Sequence, residues 1–271
     1  LGWRVFLETV FLKRKEGTDM KKINSLQNET IKKARSLKSK KGRAQWDEFL
    51  AEGEKCVEEA LVSGMEVKKL FMHGEHHAIM ALAKSKGVEI TQVPRPVIEA
   101  LTSVQSPQNV AASVAIPGQI KPDGDLVVAL DGVSDPQNVG SIIRSADAAG
   151  AAGVVLGAGC ADYLNPKAVR ASMGSLFHLH VFESDLESYL NDFKKTGCVV
   201  AGHLSGTGDL PACKKICLVI GNESRGVGEN IAALSDVLYK LPIYGRAESL
   251  NAAVAAGIMM YMAREKLSGI K

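Results

Sequence analysis

Several motifs that would settle a function quickly are missing from this 271-residue chain. No uninterrupted apolar run reaches the ~18 residues that suggest a membrane span. Neither G-x-x-x-x-G-K-[ST] nor G-x-G-x-x-G after a strand is present, which argues against a nucleotide triphosphatase or a dinucleotide enzyme. No G-x-S-x-G marks a nucleophile elbow. Cysteine is sparse, with five residues (56, 160, 198, 213 and 217) and no C-x-x-C pair. Cys213 and Cys217 stand C-x₃-C without a second pair nearby, so the expectation is free thiols in a cytoplasmic protein, with no metal. His73, His76 and His77 lack a cysteine or carboxylate partner of metal-site spacing and read as surface histidines, and His178 and His180 as satisfied structural ones. No internal repeat or low-complexity tract occurs.

What remains is the composition of a soluble globular protein, 46% apolar and 23% charged, long enough for one large or two ordinary domains. The net charge of +3 hides an imbalance, +5 over residues 1–124 and −2 over 125–271. Residues 21–43 hold nine basic side chains and one acid. Such a run is either the footprint of a polyanion or a solvated face beside a lysine-rich loop, and charge alone does not choose.

Residues 1–19 precede the first methionine, Met20, and read as an upstream extension outside the fold. Residues 20–116 alternate helical and strand patterns: a helix from Asn28 or Glu29 to Leu37, a basic turn at KSKKGR, then strand–helix pairs ending with VAASVAI. This fits a small α/β domain. IPGQIKPDGD, rich in proline and glycine, places a linker at 117–124. Residues 125–271 again alternate strands and helices, which argues for a mostly parallel sheet covered on both faces.

The second half is organised around 218–261. A buried strand at Leu218–Ile220 runs into GNESRGVG, and a second apolar stub at Leu238–Ile243 ends at Gly245. RAESLN and the small-residue run AAVAAGIMMYMA follow, a helix that Ser249 or Asn251 can cap. Glycine-broken strand ends before such a helix suggest a small ligand gripped by backbone. Upstream, DGVSDPQNVGSIIRSADAAG puts Asn138 where a helix would start and Arg144 six residues later. A helix start suits anions, and Arg144 either faces one or pairs with Asp131, Asp135 or Asp147.

Taken in order, NVGSIIRSA, LVIGNESRGV and LPIYGRAESLNAAVAAG resemble the three signature motifs of the SpoU (TrmH-like) class of RNA 2′-O-ribose methyltransferases, within the SPOUT superfamily. Residues 20–116 look like the ribosomal-protein-like substrate-binding domain of many members. The resemblance implies an α/β catalytic domain with a deep trefoil knot, preceded by a small α/β RNA-binding domain. It also implies S-adenosylmethionine as methyl donor and a homodimer formed through the C-terminal domain. RNA, with ribosomal RNA preferred, is the implied substrate; the alternatives are transfer RNA or a non-catalytic RNA-binding protein that keeps the fold. Carried over residue by residue, Arg144 acts at the target ribose, with Asn138, Glu223, Ser249 and Asn251 around it. The cofactor would lie against Gly202, His203, Leu204, Gly221, Asn222, Leu241, Ile243, Gly245, Leu250 and Asn251. Lys38, Lys40, Lys41, Arg43 and Arg225 are the expected contacts to RNA.

Overall fold

The chain forms two sheets, and in the second, valine-, leucine- and isoleucine-rich runs form the central strands, because a strand covered on both faces needs no polar alternation. The computed structural model describes residues 20–103, 109–206 and 209–269. The expected extension at 1–19 lies outside the described residues.

The first sheet contains β1 (Lys21–Lys22), β2 (Glu48–Glu52), β3 (Val67–Met72), β4 (Glu89–Gln92) and β5 (Val110–Ala115), in the order β1-β4-β3-β5-β2. β4 pairs parallel with β1 and β3, whereas β5 runs antiparallel to β3 and β2. Its helices are α1 (Glu29–Ser36), α2 (Lys40–Trp46), α3 (Glu54–Val62), α4 (His77–Ser85) and α5 (Arg95–Leu101).

The second sheet contains β6 (Leu126–Asp131), β7 (Gly153–Leu156), β8 (His180–Glu183), β9 (Cys198–Gly202), β10 (Ile216–Gly221) and β11 (Val237–Tyr239). Their order is β11-β9-β10-β6-β7-β8, and every neighbouring pair is parallel. The helices are α6 (Pro136–Ala148), α7 (Pro166–Ala171), α8 (Leu186–Phe193), α9 (Glu229–Leu234) and α10 (Ala252–Ser268). Alternate residues of β6 and β10 serve opposite cores. Leu126, Val128, Leu130, Leu218 and Ile220 share a core with Ile142 of α6 and Ala256 of α10. Val127, Ala129, Cys217 and Val219 pack with Leu190 of α8 and Ile231 of α9. At Gly140 α6 approaches α7 so closely that a Cβ would overlap the Ala168 carbonyl.

The two sheets are fastened to each other. Glu52, at the end of β2, is buried and accepts from Arg170 Nη1 of α7 at 2.8 Å and from Ser103 N and Oγ, each at 2.9 Å. Arg43 is buried too, pairs with Asp162, and donates to the Leu37 carbonyl at 2.8 Å. Phe49 stacks on Phe177 with ring centroids 6.1 Å apart.

Three local expectations need correcting, and one helix left no sign in the sequence. KSKKGR is no turn: Ser39 caps α2 by accepting from Gly42 N, and Gly42 lies so close to α1 that a Cβ would overlap the Ser36 carbonyl. The stub expected at 238–243 is a strand only over Val237–Tyr239, after which the chain turns into loop. Helix α9 carries one buried side chain, Ile231, too little to leave a periodic pattern. Cys198 and Cys213 are joined in a disulfide, because the chain returning to β10 brings Cys213 back beside β9; Cys56, Cys160 and Cys217 remain free.

Candidate active site

In a parallel sheet the loops that can hold a ligand leave the carboxyl ends of the strands. Here the ends of β9, β10 and β11 open together onto one cavity of ≈ 680 Å³, within the size range of cofactor sites. His203 N donates to the Tyr239 carbonyl at 2.9 Å and ties two of these strand ends together. The loop after β10 is a tight hairpin in which Asn222 and Gly226 exchange backbone hydrogen bonds, each 2.9 Å. Asn222 also holds this loop to the end of β6, donating from Nδ2 to the Gly132 carbonyl at 2.8 Å.

Nine of the ten expected cofactor residues line the cavity: Gly202, His203, Leu204, Gly221, Asn222, Leu241, Ile243, Leu250 and Asn251. Gly245 does not; it sits farther along an exposed stretch of the same loop, where a Cβ would meet nothing. Sequence reading missed Ile220, Ala255 and Met259, which supply apolar wall. The spacing of Ala255 and Met259, one turn apart on the helix expected to border the site, could have revealed them.

A hydrogen-bond relay joins the three motifs at the edge of this cavity. Glu223 accepts from Asn138 Nδ2 at 2.8 Å, from Ser134 N and Asp135 N at 3.2 Å each, and from Ser134 Oγ at 3.1 Å. Asn138 Oδ1 in turn accepts from Asn251 Nδ2 at 2.9 Å. The other end of Asn251 caps α10, with Oδ1 accepting from Ala253 N and Val254 N. Burial opposes the charge of Glu223. The Asn138 bond and the backbone N–H groups of Glu223, Ser134 and Asp135 together outweigh it and bring the carboxyl down to about 2. One expectation changes here: Asn138 is the third residue of α6, whose cap is Asp135. Of the two candidate caps of α10, Asn251 is the one used.

Arg144 lies on an exposed face of α6 and has no ion pair with Asp131, Asp135 or Asp147 among the described residues. Asp131 instead accepts from Gly228 N at 2.7 Å, and Asp135 accepts from Gln137 N at 2.8 Å. The guanidinium is therefore left for an external group. It does not line the cavity, whereas Ser249, Glu223 and Arg225 do. α10 packs on α6 with Gly257 against Ser145. It leaves a row of large apolar side chains exposed, Val254, Ile258 and Tyr261, continued by Leu250.

The expected RNA contacts divide. Lys40, Lys41 and Arg225 are exposed and unpaired by any acid among the described residues. Lys38 and Arg43 are spent inside the protein. Lys38 Nζ donates to the carbonyls of Ala100 and Thr102, each at 2.6 Å, and desolvation lowers its pKa; Arg43 is the buried partner of Asp162. Those two are structural cations, which corrects the reading from charge. The histidines of HGEHH go to separate partners: His73 to the Val93 carbonyl, His76 to Glu54 and His77 to Glu75. Among the described residues no three His, Cys, Asp or Glu side chains gather as a metal site.

Known proteins resemble this chain over most of its length. Residues 125–261 match the profile of the SpoU rRNA Methylase family, and residues 28–112 match that of the MRM3-like substrate binding domain. A 23S rRNA (guanosine(2553)-2′-O)-methyltransferase of Bacillus subtilis is 37% identical over 249 residues, covering 90% of this chain and 100% of that protein. An AdoMet-bound rRNA methyltransferase from Sinorhizobium meliloti superposes with a TM-score of 0.81 at 36% identity, covering 91% of this chain and 98% of that one. The SpoU methyltransferase AviRb of Streptomyces viridochromogenes, in complex with AdoMet, gives 0.77 at 29% identity, over 89% and 98% of the two chains.

Proposed function

The chain belongs to the SpoU rRNA methylase family, and from that premise we propose how its residues carry out 2′-O-methylation of ribosomal RNA. It is an S-adenosylmethionine-dependent RNA methyltransferase. The observation that carries the residue assignment is the relay Asn251–Asn138–Glu223 at the edge of the cavity. Three segments far apart in sequence are locked into one site by side chains that bond to each other, to nearby backbone and to the side chains of Ser134 and Asn222.

The cavity suits the cofactor. Ile220, Leu241, Ile243, Leu250 and Met259 offer an apolar bed for a purine, while the backbone at Gly202–Leu204 and Gly221–Asn222 offers N–H and C=O groups for polar edges. S-adenosylmethionine supplies an electrophilic sulfonium methyl group. The chain's own task is to present a ribose 2′-hydroxyl in line with it, and positioning is the main source of rate in such a transfer. A guanidinium keeps its proton under all physiological conditions, which makes Arg144 a poor base. Its role is to orient the hydroxyl and stabilise the developing alkoxide by charge and hydrogen bonds. Glu223 serves through Asn138, holding the start of α6 and thus the helix that carries Arg144. Ser249 is a further hydrogen-bonding partner at the rim, and Arg225 meets a phosphate of the target.

Two finer parts of the reading concern topology and assembly. The β9 and β11 strand ends and the run into α10 enclose the cofactor as a deep trefoil knot, which is supported by the seating of the β11 backbone against Gly206 after β9. The protein works as a homodimer through the exposed row of Leu250, Val254, Ile258 and Tyr261, which brings apolar area to a surface that otherwise has no reason to expose it. Ile258→Asp should yield monomers in sedimentation, and a variant that remains dimeric would refute that surface. Residues 20–116 form the RNA-binding domain, joined by the linker at 117–124 to the catalytic domain at 125–271. The RNA substrate places the enzyme in the cytoplasm, where the Cys198–Cys213 pair is open to reduction; neither cysteine lines the cavity.

The test is to supply radiolabelled S-adenosylmethionine with ribosomal RNA from cells lacking the protein, and to map the methyl group. Label at a single ribose 2′-oxygen is the expected result. Label on a base, or none on any RNA, overturns the assignment.

A further inference from the structure

Tryptophan is on average one of the more deeply buried side chains, yet Trp46, at the end of α2, is 42% exposed and belongs to none of the three apolar cores. It borders a groove of ≈ 430 Å³ between α1 and α2, with Lys32, Lys33, Ser36 and Gln45 among the other walls. The indole is held in place: Lys33 Nζ lies over the ring, 4.8 Å from its centroid, and is anchored from below by Glu48 at 2.7 Å. The close crossing at Gly42 fixes the angle between the two helices that form the groove. Lys40 and Lys41, six and five residues before Trp46 on the same helix, and Arg35 near the end of α1 are exposed and without an ion pair among the described residues.

A rigid aromatic plane, a neighbouring amide able both to donate and to accept, and unpaired cations within one or two helical turns are the parts of a single-strand nucleic-acid subsite. We propose that Trp46 is a stacking platform for an unpaired base of the RNA substrate, with Gln45 at the base edge and Lys40 and Lys41 on the flanking phosphates. This rests on the RNA-methyltransferase reading above and adds to it a site outside the catalytic domain. It also states what that site recognises: a base free of its helix, not duplex backbone. A duplex could satisfy the lysines but would present no open face to the indole.

The chain has two tryptophans, so Trp3→Phe leaves Trp46 as the sole indole reporter in the full-length protein. Titration with a short single-stranded oligoadenylate should quench its emission saturably, and the same strand annealed to oligouridylate should quench it little. Trp46→Ala should weaken oligoadenylate binding by about 5- to 150-fold, the range for loss of one stacked base, without altering the salt slope. Trp46→Phe, which keeps a stacking plane, should recover most of that loss, and its circular dichroism guards against misfolding. Equal affinity of Trp46→Ala and the parent, or equal quenching by single strand and duplex, overturns the proposal. If the parent methylates ribosomal RNA while Trp46→Ala binds as it does, stacking alone fails. If the parent neither binds nor methylates RNA, the underlying reading falls with it.

Discussion

Replacing Glu223 by glutamine isolates the charge at the centre of the relay. The side chain keeps its shape, but an NH₂ takes the place of one carboxylate oxygen. Oε1 accepts from Asp135 N and Asn138 Nδ2, and Oε2 from Ser134 N, Ser134 Oγ and, at 3.4 Å, Asn222 Nδ2. Whichever way the amide turns, donors then face a donor. The carboxyl stands near 2 against an ordinary 4.5. At ~1.36 kcal/mol per unit this is about 3 kcal/mol before screening, and because Glu223 is exposed to solvent we expect about 1 kcal/mol to survive. The sign follows from linkage. A folded-state pKa below the unfolded one adds stability that is complete above about 4.5 and is lost as pH falls towards about 2. Urea unfolding of the parent and Glu223→Gln should therefore differ by about 1 kcal/mol near pH 7, and the difference should shrink as the pH is lowered below about 4.5. A difference that persists undiminished near pH 3 would show that the misplaced amide donor rather than the lost charge matters, and no difference near pH 7 would refute the relay's contribution.

Three further outcomes are expected. Arg144→Ala should leave S-adenosylmethionine affinity by calorimetry within a few-fold, because the cavity is built from other segments, while the single-turnover methylation rate falls by roughly 10²-fold or more. Arg43→Ala should lower unfolding free energy by about 3–5 kcal/mol, since it strands Asp162 and the Leu37 carbonyl, with RNA affinity of the folded fraction unchanged; weakened RNA binding at full stability would reverse our correction. Neutralising Lys40 and Lys41 together should flatten the plot of log affinity against log salt by about 1.4 to 1.8, at ~0.7–0.9 per phosphate contact, and an unaltered slope would mean they only face solvent.

The parallel half was legible because its central strands, Leu126–Asp131 and Ile216–Gly221, are apolar on both faces and bounded by glycine and helix caps. Helix α2 was not, because the residues it buries are Gly42 and Arg43, which leave no apolar period to read. The same blindness misassigned Lys38 and Arg43. A charge count treats every cation as solvated, and only the fold shows that the Ala100 and Thr102 carbonyls and Asp162 lie within reach. At the site, residue types at motif positions could be read from sequence, but their pairing could not. Asn138 and Asn251 are separated by 113 positions, and the amide–amide contact exists only after β10 and α10 are assembled beside α6. Gly245 was misplaced for a related reason, since a loop's contour is set by what it folds over.

The contacts of Glu52 with Arg170, Arg43 with Asp162 and Phe49 with Phe177 make the chain a calliper. Buried ion pairs tolerate little hinge motion, because opening them would strand a charge. One jaw holds Trp46, Lys40 and Lys41 and the other Arg144, at a separation the protein does not adjust. If Trp46 stacks a base and Arg144 meets the target ribose, as proposed above, a nucleotide is chosen by how far its ribose lies from an unstacked neighbour once the RNA is folded, and the sequence at the target itself need not be read. Two RNAs with the same local sequence but a different span between loop and ribose would be told apart, and an RNA of unrelated sequence with the right span would pass.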